Sequence, residues 1–524
     1  MTAAIPYAFA VWLPLVAIAF RALGPRRAAP LAVIAAFLAL PREASPLTLL
    51  GWVTIDKRTV SGVALLLGLL VSDPRALIRG RPRWLDLPMV AFLLLPLASL
   101  AANRFAEPLA SIDQVWVYSM AWGVPYLLGR LYLGDREGPR RLCLAIVVGG
   151  LVYIPICLYE MVMGPDFYLL GRIYGVAPYL HMVERLGGWR PEGFLTNGIE
   201  LATWMALSST VAAWLWLRQG WEPGRAPAWA PPLALAAVTL ACRGVFGYMN
   251  LMLGLATVGL SHLLKTRWII LALALVPPAY VAARVSGAWN GSTLVELAAR
   301  AGKGPTVAYR LGAEDAYIKK VYEHGFVFGF GGVNSAIFDW GAQRHLYPDG
   351  WWIHQLRSGG LVGLIAFYLA MFLVPAGAAL ATPAGRSGRA SPGALAWGLA
   401  LFVTLHSVDS LLNMSLLTPT PLVGGALVSL FMAREASRTH IATIARESSG
   451  VALPSRPWGT RLADLFVGSP EEEERGEATV AGGPARHLLI VALVVVVLLA
   501  PEVVRLMPMP FGKASLATGD RPGR

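Results

Sequence analysis

Apolar runs that approach or reach the roughly 20 residues needed to cross bilayer hydrocarbon as a helix recur along almost the whole chain. They fall at 7–23, 28–41, 59–72, 86–102, 114–132, 141–162, 198–217, 228–242, 244–262, 267–285, 356–381, 392–408, 414–433 and 487–505. Hydrophobic residues make up 56% of the chain and charged residues 14%, whereas a soluble domain carries roughly a quarter charged residues. An ordinary cytosolic enzyme is therefore excluded. The expectation is an all-α polytopic membrane protein of about fourteen transmembrane helices (about twelve to fourteen, since several runs are short). Cys143, Cys157 and Cys242 all lie inside apolar runs, which excludes a disulfide scaffold or a cysteine zinc site.

The net charge of +13 does not indicate a nucleic-acid partner, because the arginines sit between apolar runs, where they orient helices in a bilayer. Loops after odd-numbered runs hold Arg21, Arg26 and Arg27, then Arg75, Arg79, Arg81 and Arg83, then Arg130, Arg136, Arg140 and Arg141. Later odd loops hold Arg218, Arg225, Lys265, Arg267, Arg386 and Arg389; even loops hold far fewer. The positive-inside rule then puts odd loops in the cytoplasm and both termini outside. No basic residue precedes the first run and Arg21 follows it, so it reads as an uncleaved helix and not as a secretory signal.

This gives N-terminal transmembrane helices over 1–113, central helices over 114–285, an external loop over 286–355 and C-terminal core helices over 356–433. A disordered cytoplasmic linker over 434–486 and a last helix with its tail over 487–524 complete the chain. The external loop keeps Trp289, Tyr309, Tyr317, Tyr322, Trp340, Tyr347, Trp351 and Trp352. That is too aromatic for a disordered linker, and long ordered loops are usually functional.

Four polar clusters fall on the external side: Arg190-Pro-Glu-Gly193-Phe194 with Asn197; Cys242-Arg243-Gly244; Arg310 with Glu314 and Asp315; and His345 through Asp349-Gly-Trp351-Trp352 to His354. None has metal-ligand spacing, and no cofactor is expected. Arg190 and Arg357 read either as anchors snorkelling to headgroups or as ligands for an anion. Arg243 lies between two apolar runs with no intervening loop, where a charge is costly and marks function by default. Trp351 and Trp352 fit an interfacial belt or a sugar platform equally. Glu160, Glu200, His406 and Asp409 are relay residues or satisfied helix contacts. Arginine forks bind diphosphates bidentately, aromatic faces stack on sugars, and a nearby carboxylate can accept a hydroxyl proton.

The clusters, in this order, resemble the O-antigen ligase and O-antigen polymerase superfamily of bacterial membrane glycosyltransferases. The likeness covers roughly 115–432 and rests on these elements: Val124-Pro-Tyr-Leu-Leu-Gly-Arg130; Arg190-x-x-Gly193-Phe194 with Asn197; Cys242-Arg243-Gly244; Arg310; Gly325-Phe-Val-Phe-Gly329-Phe-Gly331-Gly332; and Leu356-x-x-x-Gly360-x-x-Gly363. It implies a GT-C-like fold with its site facing the periplasm of a bacterial inner membrane. It also implies a metal-independent inverting transfer of a glycan from an undecaprenyl diphosphate donor to a sugar hydroxyl. Arg190, Arg243 and Arg310 are the expected diphosphate ligands, with Trp351 and Trp352 on the sugar. Where ligases carry a histidine, eleven residues before the first glycine of the last motif, this chain has Asp349. Asp349 is therefore the expected base, with His345 or His354 as alternatives. The aspartate favours polymerisation of O-antigen or exopolysaccharide repeats, with a glycan acceptor and a chain-length regulator protein as partner. A ligase acting on lipid A-core or protein is the nearest alternative. A lipid-linked glycan transporter or a non-catalytic scaffold is further away.

Overall fold

The fold is given by a computed structural model. It describes residues 4–42, 47–80, 82–103, 107–165, 168–174, 184, 187–218, 227–300, 302, 304–329, 337–339, 344–346, 349–383, 391–415 and 417–449. The chain opens with α1 (Ala4–Leu23), α2 (Pro25–Ala39), a hairpin of β1 (Leu47–Leu49) and β2 (Val53–Ile55), α3 (Lys57–Ser72), α4 (Ala76–Arg79) and α5 (Leu87–Ala102). Then come α6 (Pro108–Tyr118), a π-turn at Ser119–Gly123, α7 (Val124–Tyr132), α8 (Gly138–Met163), α9 (Leu169–Tyr174), α10 (Gly198–Leu217), α11 (Ala230–Ala241), α12 (Val245–Leu263) and α13 (Trp268–Val285). The segment after α13 holds α14 (Ser292–Arg300), α15 (Gly304–His324) and the hairpin β3 (Ile337–Asp339) and β4 (Arg344–Leu346). The chain ends with α16 (Trp351–Tyr368), a π-turn at Leu369–Leu373, α17 (Val374–Leu380), α18 (Pro392–Asp409) and α19 (Pro419–Ser449).

Each of the first thirteen apolar runs is helical. Among the described residues, five helices are long and apolar enough to cross a membrane: Ala4–Leu23, Trp84–Ala102, Gly138–Met163, Trp268–Val285 and Trp351–Leu380. α2, α3 and α11 have 15, 16 and 12 residues, too few to span alone. α10, α12 and α18 have 20, 19 and 18 residues and take polar side chains into the protein interior, such as Glu200, Thr203, Ser208 and Thr210 on α10, all buried, as helices packed against other helices in a bilayer do. The run at 487–505 lies outside the described residues. So does most of the expected linker, whose first part, 434–449, is helical as the end of α19. That stretch is rich in Ala, Arg and Glu, which are strong helix formers.

α10 and α18 are buried almost throughout. Around them, outer helices present apolar stripes. Tyr7, Val11, Leu15 and Ile18 on α1 are all exposed, as are Val148, Val152, Tyr159 and Val162 on α8. Such stripes at helical spacing are satisfied by lipid and not by water. The protein is a helical membrane protein.

Two long helices define the polarity of the bundle. Arg141 lies at the start of α8 and Glu160 near its end, roughly 28 Å apart at the 1.5 Å rise of a helix. α3 carries Lys57 at its start, whose Nζ donates to Phe194 O at 3.1 Å, and Ser72 at its end, whose hydroxyl donates to Gly68 O at 2.7 Å. The two polar ends are thus about one hydrocarbon thickness apart.

Candidate functional site

At the Glu160 end, the loop 187–197 lacks regular structure, so its backbone polar groups need side-chain partners. Acceptors below take its N–H groups. Glu160 accepts from Glu192 N at 2.9 Å and Gly193 N at 2.8 Å, Tyr153 Oη from Phe194 N at 2.7 Å, and Glu200 from Thr196 N at 2.8 Å. Cations above take its carbonyls: Lys57 donates to Phe194 O, Arg42 to Thr196 O, and Arg243 to Trp189 O at 3.3 Å. Asn197 closes the loop as the N-cap of α10, its Oδ1 accepting from Ile199 N and Glu200 N. Glu160 and Glu200 are therefore satisfied contacts that hold the loop.

Arg190 is buried, at 6% exposure, against the first turn of α10, where a Cβ on Gly198 would lie 2.5 Å from its Nε. A headgroup anchor would reach water, so the snorkelling alternative fails for this residue. Arg243 occupies the tight turn between α11 and α12 with φ +55°, a left-handed conformation that non-glycine residues rarely adopt and that clusters at functional sites.

Arg310 on α15 joins the other clusters to this turn. Its guanidinium lies 5.2 Å from the ring centroid of Phe246, in the first turn of α12. Its Nε meets Asp349 Oδ2 at 2.8 Å, and Nη1 donates to Leu412 O at 3.3 Å. Burial raises the Asp349 carboxyl above the usual aspartate range, and Arg310 opposes that shift. Gly350 and Trp351 seat this carboxylate: Trp351 N donates to Ser410 O at 2.9 Å, and a Cβ on Gly350 would lie 2.8 Å from the Trp352 ring. Segments separated by more than 200 residues thus meet at the N-terminal end of α12. This is also the positive end of its dipole.

Of the expected aromatic platform, Trp351 is half-buried, edge-on to Trp122 at 5.9 Å and to His354 at 5.9 Å. Trp352 is corrected: it is fully buried against Tyr280 and offers no face to a sugar. One step round the helix, about 100°, turns it from the site into the core. His354 is half-buried on α16. His345 pairs with Phe338 in the β3–β4 hairpin, and its side chain lies outside the described residues. So do Gly331 and Gly332.

Glu314 and Asp315 serve the scaffold. Arg284 at the end of α13 is buried at 3% and binds Glu314 Oε2 at 3.2 Å and Asp315 Oδ1 at 2.8 Å, while Tyr280 donates to Glu314 Oε2 at 2.9 Å. Burial lifts the Glu314 carboxyl to about 7, opposed by Arg284 and by that hydroxyl. This network fixes the helix that carries Arg310. His406 is likewise a satisfied contact, Nδ1 to Thr420 Oγ1 at 2.7 Å and Nε2 to Ser415 O at 3.0 Å. Asp409 Oδ1 accepts from Thr203, Asn250 and Asn413 and ties α10, α12 and α18 together. Among the described residues, no three His, Cys, Asp or Glu side chains gather as a metal-ligand set.

Lys57, Arg42 and Arg284 were not singled out from sequence; Glu192, part of the first cluster, is lifted by burial to about 7 against the pull of Arg42 and Arg190. A carboxyl raised on folding contributes stability that is full below its unfolded pKa and lost as pH climbs through about 7. Glu192→Gln removes that loss, which is worth roughly 3 kcal/mol at most. The variant should melt with wild type at pH 5 in detergent and several degrees above it at pH 8. Equal melting at both values would contradict this.

No protein-family model matches the chain, and no curated protein matches it either.

Proposed function

We propose that this protein is a membrane glycosyltransferase that passes a glycan from a polyprenyl diphosphate to a sugar hydroxyl with inversion, most simply as a polymerase of O-antigen or exopolysaccharide repeats. What supports the reading best is the meeting of Arg243, Arg310 and Asp349 around the start of α12, with Arg190 under the adjoining loop. Guanidinium forks and the positive end of a helix suit a diphosphate leaving group.

In the proposed reaction the acceptor hydroxyl oxygen attacks the anomeric carbon as the bond from that carbon to the diphosphate oxygen breaks. The electron pair leaves with the diphosphate, where Arg243 and Arg310 stabilise the charge that develops. The hydroxyl proton goes to Asp349. Its ion pair with Arg310 couples the two roles. A diphosphate that competes for the Arg310 guanidinium releases the carboxylate from its counter-charge and makes it a stronger base.

The fold would be GT-C-like, and the membrane a bacterial inner membrane, with this end facing the periplasm. Partners would be the undecaprenyl diphosphate-linked donor, a glycan or lipid A-core acceptor, and a chain-length regulator.

The test is to delete the gene, analyse what accumulates on lipid diphosphate, and restore it with wild type, Arg310→Ala or Asp349→Asn. Accumulated single repeats that neither variant clears support the polymerase. Accumulated long polymer would instead make the protein a ligase. Full rescue by Asp349→Asn would remove the base assignment and move attention to His345 and His354.

A further inference from the structure

At the opposite end of the bundle lies a cavity of about 850 Å³, the size that accepts a ligand of several hundred daltons. The bend at Gly24, the end of α3, the end of α7, the start of α8 and the 429–436 stretch of α19 converge on it. Five arginines line it: Arg26, Arg27, Arg83, Arg130 and Arg141. The nearby carboxylates are fewer and already engaged. Asp86 is held by Arg130 at 2.9 Å and by the Tyr126 hydroxyl at 2.7 Å. Asp135 is shared between Arg141 at 3.1 Å and Arg26 at 3.8 Å. Asp73 accepts from the Tyr132 hydroxyl at 3.0 Å. Arg27 and Arg83 make no ion pair among the described residues, and both are exposed.

Two uncompensated guanidiniums in a concave site call for an anion, and their forks match phosphate. The rest of the lining narrows the choice. Leu23 and Leu131 add apolar surface to the lining, which a free inorganic ion would not use but an acyl chain would, and the Met432 sulfur accepts from Arg83 Nη1 at 3.9 Å and Arg130 Nη2 at 3.6 Å. Arg141 in its lining is also roughly 28 Å along α8 from Glu160, about one hydrocarbon thickness. Basic pockets between transmembrane helices bind anionic headgroups in this way.

We propose that this cavity binds the phosphate of an anionic lipid headgroup and so fixes α2, α3, α7, α8 and α19 against one another at this end of the bundle. The site stands whatever reaction the other end performs.

The test uses the full-length protein in a neutral detergent and titrates phosphatidylglycerol, zwitterionic phosphatidylcholine and inorganic phosphate separately, with bound lipid counted by native mass spectrometry and melting followed in parallel. Wild type should retain phosphatidylglycerol and melt higher with it, and phosphatidylcholine should do neither. Removing a basic side chain should weaken retention about fivefold, so R27Q/R83Q should lose roughly 25-fold. Arg136→Gln, at the same end but outside the cavity lining, should retain lipid as wild type does. If the double variant folds poorly, exposed Arg27→Gln alone carries the test. Stabilisation by inorganic phosphate equal to that by phosphatidylglycerol would keep the phosphate site but make free phosphate its occupant. Equal loss in Arg136→Gln, or no loss in R27Q/R83Q, would overturn the proposal.

Discussion

Arg310→Ala should cut glycan transfer to about a hundredth or less of wild type while leaving the protein folded and inserted. The guanidinium touches three parts of the proposed site at once: the Phe246 ring at the start of α12, the Asp349 carboxylate and the Leu412 carbonyl. Its loss removes a donor aimed at the departing diphosphate, worth about 10²- to 10³-fold in rate for a charge that develops in the transition state. Stability should fall by no more than about 2 kcal/mol, because the pair is part-buried, its side chains 23% and 42% exposed, between the roughly 1 kcal/mol of a surface pair and the roughly 3–5 kcal/mol of breaking a buried one. Arg310→Lys should recover only part of the rate, since it restores charge without the fork.

The same pair sets a pH signature. Burial raises Asp349 and Arg310 lowers it, so the acid limb of the wild-type profile should lie above the ordinary aspartate range. Activity should fall as pH drops through that limb. Arg310→Lys should leave it near its place, whereas the residual activity of Arg310→Ala should show it displaced upward. The measurement is transfer from a lipid diphosphate donor by purified protein across pH, with melting recorded alongside. An Arg310→Ala enzyme with wild-type turnover would sink the proposed function.

The helices were legible in the sequence because apolar runs set their limits, and the polar clusters were legible because each interrupts or borders such a run. The surroundings of each helix were not. Ser208, Ser209 and Thr210 on α10 look like membrane-compatible residues in sequence, and only packing shows that they face other helices. Arg190, Arg243, Arg310 and Asp349 could be picked out as polar residues near helix ends, but their meeting depends on tertiary structure. Trp352 shows why neighbours in sequence diverge: on a helix, adjacent residues point in different directions. Lys57, Arg42 and Arg284 escaped notice for the opposite reason. They border apolar runs, where a basic residue reads as a topology signal, yet Lys57 and Arg42 bind loop carbonyls and Arg284 binds two carboxylates.

Gly360→Ala should be the most damaging single-methyl substitution near the site. Gly360 sits inside α16 with φ +61° and ψ −157°, a backbone region that is essentially glycine-only and costs an alanine roughly 1–3 kcal/mol. The space is also taken: its Cβ would lie 2.5 Å from both the carbonyl carbon and the oxygen of Val327. Those are backbone atoms and cannot rotate away. The Phe326–Gly329 segment is inserted there because the kink frees two N–H groups of α16. Leu361 N donates to Phe326 O at 2.8 Å and Val362 N to Val327 O at 3.1 Å. Gly329 answers from the other side with φ +73°, its own Cβ position 2.6 Å from Arg357 O. Alanine at 360 must therefore push the segment out and leave two donors without partners, at about 1–3 kcal/mol each when buried. A total loss of roughly 4 kcal/mol or more is expected, with transfer lost as well, since α16 begins two residues after Asp349. Gly312→Ala is the matched control. Gly312 lies in α15 two residues after Arg310, nothing stands within 4 Å of its Cβ position, and alanine there should stabilise by about 0.5–1 kcal/mol. Melting and yield of the two variants in detergent decide the matter: equal behaviour would mean that the inserted segment does not hold the start of α16.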